Sequence, residues 1–127
     1  MQIYIAKKFL DFFDYFHQKK IFNFLKKHLR GQLNIVIDVG THRGETIKKL
    51  NQSFKIDKII GFEPSKKNFE YLKKKIKKKY KNVEIYNFGC GNENKKKTLK
   101  FAFESSSSTI NEINYDSKYL KLKKKFF

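Results

Sequence analysis

The chain of 127 residues can bury one modest hydrophobic core, and its 39% hydrophobic and 17% aromatic residues exclude a disordered polymer. Its net charge of +18 comes almost wholly from lysine, since Arg30 and Arg43 are the only arginines, so we expect a solvated basic surface and no specific nucleic-acid binding. The single cysteine excludes an internal disulfide, and the lack of an apolar run of about 18 residues excludes a transmembrane helix. Charged residues interrupt the N-terminal apolar stretch, which excludes a signal peptide, and together these features favour the cytoplasm.

The first segment, residues 1–32, has the pattern of amphipathic helix. Apolar residues recur at helical spacing from about Tyr4 to about Leu29, and Gly31 is expected to end the segment. We expect one or two helices that pack on the core of the domain. The alternative is a basic, aromatic helix that makes weak contact with a membrane surface or binds a partner.

Residues 33–110 alternate between strand and helix patterns. Apolar runs predict buried strands at 34–39, 58–63 and 83–88, with helices at 45–52 and after Ser65, a predicted N-cap. The second of these helices carries an apolar stripe, and a polar turn, a half-exposed strand at 98–103 and a serine loop at 105–108 follow. The stripe consists of Phe69, Leu72, Ile76 and Tyr80. Residues 111–127 form a polar tail with a basic end.

This order predicts two right-handed βαβ units, and therefore an α/β fold with three parallel strands and a further short strand. Ligands of such sheets bind beyond the carboxyl ends of the strands, where two features of the sequence fall. The first is the glycine-containing loop 38–44, which lets a ligand approach the backbone closely. The second is Glu63, whose carboxylate can accept both hydroxyl hydrogen bonds of a ribose. Together they predict a nucleoside-type site.

The loop distinguishes between nucleoside cofactors. A dinucleotide site requires a second glycine two residues after Gly40, where the pyrophosphate approaches, and His42 stands there. An NAD-dependent enzyme is therefore disfavoured. A ligand with a ribose and a cationic tail but no phosphate, such as S-adenosylmethionine, suits the loop better, because Asp38 can attract its ammonium and sulfonium groups. The alternative for Asp38 is that it simply accepts hydrogen bonds from loop amides.

Three stretches of sequence, 37–46, 61–69 and 83–91, resemble the FkbM-type methyltransferases, and the turn, strand and serine loop up to residue 110 follow the family's order. The resemblance implies a Rossmann-like, S-adenosylmethionine-dependent O-methyltransferase that acts on hydroxyls of sugars or secondary metabolites. It implies that the methionine part lies against the 38–44 loop, the ribose on Glu63 and the adenine near 89–90, with Ser106 and Ser107 approaching the cofactor. The residues expected to bind the cofactor are Asp38, Gly40, Thr41, His42, Gly44, Glu63, Pro64, Gly89 and Cys90.

Neither a catalytic base nor a metal site can be assigned from the sequence. His42 is the histidine nearest the predicted site and is expected to contribute its backbone, whereas His17 and His28 fall in the N-terminal segment. Cys90 has no basic neighbour in sequence and is expected to be a packing residue. No set of His, Cys and acidic residues has metal-ligand spacing.

The resemblance stops short of a whole methyltransferase domain. Nothing after Ser108 resembles the acidic substrate-side motif of the family, and a complete sheet requires roughly 200 residues. We therefore expect a truncated chain, in preference to a split gene or a partner chain that completes the sheet. The free edge of the first strand should then expose backbone and apolar groups. The alternative function is a lysine-rich, non-enzymatic module that binds RNA or anionic membrane.

Overall fold

The computed structural model describes residues 2–29, 31–100, 109–111, 114 and 116–118, with side chains described from Tyr15 onward. The chain divides into two compact units, one formed by Gly31–Asn111 and the other by Met1–Arg30 with Glu112–Phe127. Within the described part of the chain, no helix combines the length and the apolar character needed to cross a bilayer.

The N-terminal segment is one continuous helix, α1 (Gln2–His28). Lysines and a histidine in its last turn stabilise the negative end of the helix dipole, and the ring of His28 is hydrogen-bonded to the carbonyl of Phe24 at 2.8 Å. Between Tyr15 and Leu29, several large apolar side chains are exposed to solvent. These are Tyr15, Phe16, Ile21, Phe24 and Leu29.

The larger unit is an α/β structure built on a parallel sheet of β1 (Leu33–Val39), β2 (Ile56–Phe62) and β3 (Val83–Tyr86) in the order β1-β2-β3. This sheet confirms the predicted α/β fold with three parallel strands. β1 pairs with β2 alone among the described strands, so its second edge is unpaired there. The third strand ends two residues earlier than predicted.

Two helical connections join the strands. α2 (Glu45–Ser53) links β1 to β2, and α3 (Lys66–Tyr71) continues as a π-helical turn (Leu72–Lys77) before β3. Ser65 caps α3 as predicted, because its side chain accepts a hydrogen bond from the backbone N–H of Asn68 at 3.5 Å.

The core lies between one face of the sheet and these helices. The strands follow one another across the sheet in the order β1-β2-β3, so right-handed connections place both helical segments on the same face of the sheet. The register agrees, because Val36, Ile59 and Val83 lie opposite one another and the latter two are almost fully buried. The buried apolar side chains of this core are Ile47, Leu50, Ile59, Leu72, Ile76, Val83 and Ile85, and Ile56 is buried on the other face.

The other face of the sheet, called the open face below, has no described helix of Gly31–Asn111 packed on it. Side chains of paired residues point to the same face, so the register assigns ten strand residues to it. They are Leu33, Ile35, Ile37, Val39, Ile56, Lys58, Ile60, Phe62, Glu84 and Tyr86. Towards the carboxyl end of β1, three of its four aliphatic side chains on this face are each more than 60% exposed, whereas at the amino end Leu33 is half-buried and Ile56 is buried.

The C-terminal part of the larger unit contains one antiparallel bridge, in which Lys100 and Thr109 exchange backbone hydrogen bonds of 2.8 and 2.9 Å. It places residue 100 of the predicted 98–103 strand in a bridged pair, whereas 101–103 lie outside the described residues. The predicted serine loop 105–108 lies outside them too.

Two glycines of the loop after β1 allow the packing of the helical layer to be tested. Gly44 has φ +78°, and a Cβ placed there would lie 2.8 Å from Cγ1 of Ile76. Gly40 has φ +81° and nothing within 4 Å of such a Cβ. Gly40→Ala and Gly44→Ala should share a conformational cost of about 1–2 kcal/mol, because both positions have positive φ. Gly44→Ala should add an overpacking penalty of about 1–3 kcal/mol. Urea unfolding of the two variants measures the difference, and equal losses of stability would contradict the close packing at Gly44.

Candidate functional site

The carboxyl ends of the three strands bring three loops together. The loop after β1 spans 40–44, the loop after β2 spans 63–65, and the segment after β3 begins at Asn87. Parallel strands end at one edge of the sheet, so the residues predicted from separate parts of the sequence meet at that edge.

The loop after β1 is a tight turn with three residues at positive φ: Gly40 (+81°), His42 (+51°) and Gly44 (+78°). A side chain is rare in this conformation, so His42 is held there by its surroundings. Its backbone N–H donates to Oε2 of Glu63 at 2.7 Å, and its ring Nδ1 lies 3.5 Å from Oε1 of Glu45.

Every backbone N–H of this loop has an acceptor within the protein. The carbonyl of Phe62 accepts from residues 40 and 41 at 2.9 and 3.1 Å, and the carbonyl of Thr41 accepts from residue 44 at 2.8 Å. The carboxylates of Glu63 and Glu45 accept from residues 42 and 43 at 2.7 and 3.2 Å. The turn therefore offers no unused amide donor to a phosphate.

Glu63 joins the first two loops. It follows β2 directly, it is 5% exposed, and its Oε1 accepts from the backbone N–H of Ser65 at 2.8 Å while Oε2 accepts from His42. One carboxylate thus satisfies a part-buried amide in the first loop and a buried amide in the second. The two sequence features that predicted a nucleoside site are in direct contact.

Asp38 carries an unsatisfied group at the same edge. Its Oδ2 is buried and has no hydrogen-bond partner among the described residues. Burial raises the pKa of Asp38 above its ordinary value, and the nearby carboxylates of Glu45 and Glu63 raise it further, against a lowering by the Thr41 hydroxyl. A buried acceptor without a donor is costly, and a cationic donor is the group that would relieve both the desolvation and the repulsion.

Thr41 and Gly61 fix the base of the loop. Thr41 is 3% exposed, and its hydroxyl donates to the backbone carbonyl of Asp38 at 3.1 Å. A Cβ at Gly61 would lie 2.7 Å from that hydroxyl oxygen, so the glycine in β2 makes room for Thr41. Thr41 and Gly44, both expected to bind the cofactor, are therefore placed inside the protein's own packing.

The segment after β3 is tied to the second loop by a residue that the sequence did not single out. The side-chain amide of Asn87 donates to the backbone carbonyls of Glu63 and Pro64 at 2.8 and 3.2 Å. Gly89 lies beside Pro64, since a Cβ at Gly89 would be 3.6 Å from the proline ring. Cys90 is exposed and free. The prediction placed Asn87 inside strand 83–88, and the available signal was that asparagine is disfavoured within strands.

An aromatic cluster flanks this edge on the open face. The rings of Phe62, Tyr86 and Phe88 have centroids 5.1–5.7 Å apart. Phe88 is 52% exposed and Tyr86 41%, so the cluster presents apolar rings to solvent beside the three loops. Tyr86 and Phe88 fall in the predicted strand 83–88, but their contact with Phe62 was not predicted.

The arrangement offers carboxylates, open backbone at Gly40 and apolar rings. No three His, Cys, Asp or Glu side chains of the described residues form a group that could hold a metal ion. The arrangement can attract a cation and exclude phosphate. Compared with protein-family models, characterised proteins and solved structures, the chain gives no match.

Proposed function

We propose that the chain is the cofactor-binding part of a Rossmann-like, S-adenosylmethionine-dependent methyltransferase of FkbM type, which methylates a hydroxyl of a sugar or secondary metabolite. The observation that carries this proposal is the buried Oδ2 of Asp38 without a partner, at the strand edge where Glu63 meets the glycine turn. A ligand with an ammonium and a sulfonium group, and without phosphate, matches that chemistry.

The methionine end of such a ligand suits the first loop. Its ammonium N–H groups would supply the donor that Oδ2 of Asp38 lacks, and charge-assisted hydrogen bonds of this kind are among the strongest in proteins. The space beside Gly40, where an added Cβ would meet nothing within 4 Å, leaves room for the ligand chain. The negative charges of Glu45 and Glu63 favour a cation over a neutral amino acid.

The ribose end depends on Glu63. Both of its oxygens already accept a backbone N–H, but a carboxylate has about four lone-pair positions, so each oxygen can accept one more hydrogen bond. Because the side chain is 5% exposed, the two hydroxyls would reach it only along its outer edge. The adenine would lie near Pro64, Gly89 and Cys90, at the ends of β2 and β3.

When bound, the cofactor supplies an electrophilic methyl group, and the chain's part is to hold it and exclude competing ligands. Asp38 would fix the methionine end and Glu63 the ribose, so that the sulfonium has one position relative to an acceptor hydroxyl. Such positioning contributes several kcal/mol to lowering a barrier. We assign no catalytic base.

The lysine-rich surface favours a second candidate function, a module that binds RNA or anionic membrane. The lysines between Lys73 and Lys79 are exposed on the π-helical turn and just after it. Binding that depends on such lysines weakens steeply as salt is raised, because it releases condensed counterions.

Calorimetric titration of the purified chain with S-adenosylmethionine, NAD and a short RNA tests these functions together. We expect saturable heat with S-adenosylmethionine that persists at about 0.3 M salt, and none with NAD, because the loop amides are already bonded. A folded protein that gives no heat with S-adenosylmethionine at about 1 mM would overturn the proposal. Heat with RNA alone, lost at the higher salt, would favour the binding module.

A further inference from the structure

We propose that the open face of the sheet is the interface of a weak homodimer, in which two copies of the chain stack their sheets face to face. This inference does not depend on the proposed function. It starts from the exposure of Ile35, Ile37 and Val39, which are 61–62% exposed in a row along β1. Parallel sheets normally have both faces covered, so this row requires an occupant.

Charge distinguishes the open face from the rest of the domain. Its two charged strand residues, Lys58 and Glu84, form an ion pair of 3.0 Å, and Lys58 lowers the pKa of Glu84. The other side chains of the face are aliphatic or aromatic. The helices on the opposite face carry eight lysines, namely Lys48, Lys49, Lys66, Lys67, Lys73, Lys74, Lys75 and Lys77. The open face is therefore electrically neutral on a strongly basic chain.

This distribution points to a second copy as the occupant. Sheets stacked face to face lie about 10 Å apart, and each helical layer adds about 10 Å, so the two lysine layers would be roughly 30 Å apart. That distance exceeds the Debye length of about 8 Å, so the lysines of these two helical layers would not repel each other measurably. An acidic partner protein would bind the lysine side and not the open face. An anionic membrane does not suit the open face either, because membrane binding requires lysines and apolar groups on the same side.

The size of the face predicts a weak dimer. Three strands with a spacing of about 4.8 Å and about six residues with a rise of about 3.3 Å give roughly 300 Å² in projection. A standard stable interface buries about 800 Å² on each partner. A two-fold arrangement is self-complementary, because each copy contributes the same apolar row and the same neutral ion pair. We expect half-dissociation at concentrations on the order of 100 µM.

Sedimentation equilibrium of the full chain tests the proposal. The average mass should rise from 15.3 kDa towards twice that value between about 10 µM and about 1 mM, and should not fall at about 0.5 M salt. Ile37→Lys places like charges at the centre of the interface and should remain monomeric. Gln52→Lys adds the same charge at an exposed position of α2 and should dimerise like the wild type.

Circular dichroism of both variants checks that they fold, and the exposure of Ile37 makes the substitution compatible with the fold. In a mixture of differently labelled protein, intermolecular NOEs should involve the methyl groups of Ile37 and Val39. A wild type that remains monomeric at about 1 mM overturns the proposal. So does association that Ile37→Lys leaves unchanged, or association that salt abolishes, since contaminating nucleic acid would then be the link.

Discussion

Replacing Glu63 with alanine is expected to lower the free energy of unfolding by about 3 kcal/mol, the largest loss for any single acid-to-alanine change in this domain. The variant loses two hydrogen bonds to a charged acceptor and leaves the part-buried amide of His42 and the buried amide of Ser65 without acceptors. Hydrogen bonds to charged groups contribute about 1.5–3 kcal/mol each, and entry of water into the gap offsets part of the loss. Urea unfolding measures the change.

Two control variants test whether the loss of stability comes from the hydrogen bonds of Glu63. Glu63→Gln keeps the shape and one oxygen acceptor, so we expect about half the loss. Glu70→Ala removes an exposed carboxylate 3.9 Å from Lys73 and should change stability by less than about 0.5 kcal/mol. Amide hydrogen exchange of His42 and Ser65 should accelerate in Glu63→Ala. Unchanged protection of those two amides would show that the carboxylate does not hold the loops.

Asp38→Asn is expected to reduce the affinity for S-adenosylmethionine at least tenfold without lowering the melting temperature. The charge that would attract the ammonium group is lost, whereas the protein itself makes no hydrogen bond to Oδ2. The matched control is Asp57→Asn, at an exposed position near the amino end of β2. Calorimetry and thermal unfolding measure both effects, and a variant that binds like the wild type would contradict the assignment of Asp38.

The same variant isolates a pH dependence. The pKa of Asp38 is raised in the folded state, so the folded protein binds this proton more tightly than the unfolded chain does. Its contribution to stability is therefore fully present below the ordinary value of 3.8 and is lost as the pH rises through the raised pKa. The difference in stability between wild type and Asp38→Asn should change in that window. A constant difference would argue against a perturbed carboxyl.

The sheet and helices could be predicted because their signals lie in the chemistry of the side chains. The apolar runs at 34–39 and 58–63 became β1 and β2, and Ser65 caps α3. The stripe on the second connection was partly right, since Leu72 and Ile76 are buried whereas Phe69 and Tyr80 are only half-buried. The helical period changes where the π-helical turn begins at Leu72, and no residue type in the sequence indicates that change.

The site was harder to predict because much of it is backbone. Parallel topology predicts that Glu63 meets the loop after β1. It does not predict that Glu63 accepts hydrogen bonds from two backbone amides, because the sequence does not show which amides lie close to its carboxylate. The burial of Asn68 and the tie made by Asn87 depend on how the chain returns across the strand ends. The roles of 105–108 stay predictions.

The saturated turn after β1 has a consequence for the cell's most abundant nucleotides. The amide of His42 is held by a carboxylate of the same chain, tethered at millimolar or higher effective concentration. ATP or NAD would have to displace this tethered anion and then tolerate its negative charge. Intramolecular competition of this kind would keep the proposed cofactor site available at metabolite concentrations that saturate ordinary phosphate-binding loops.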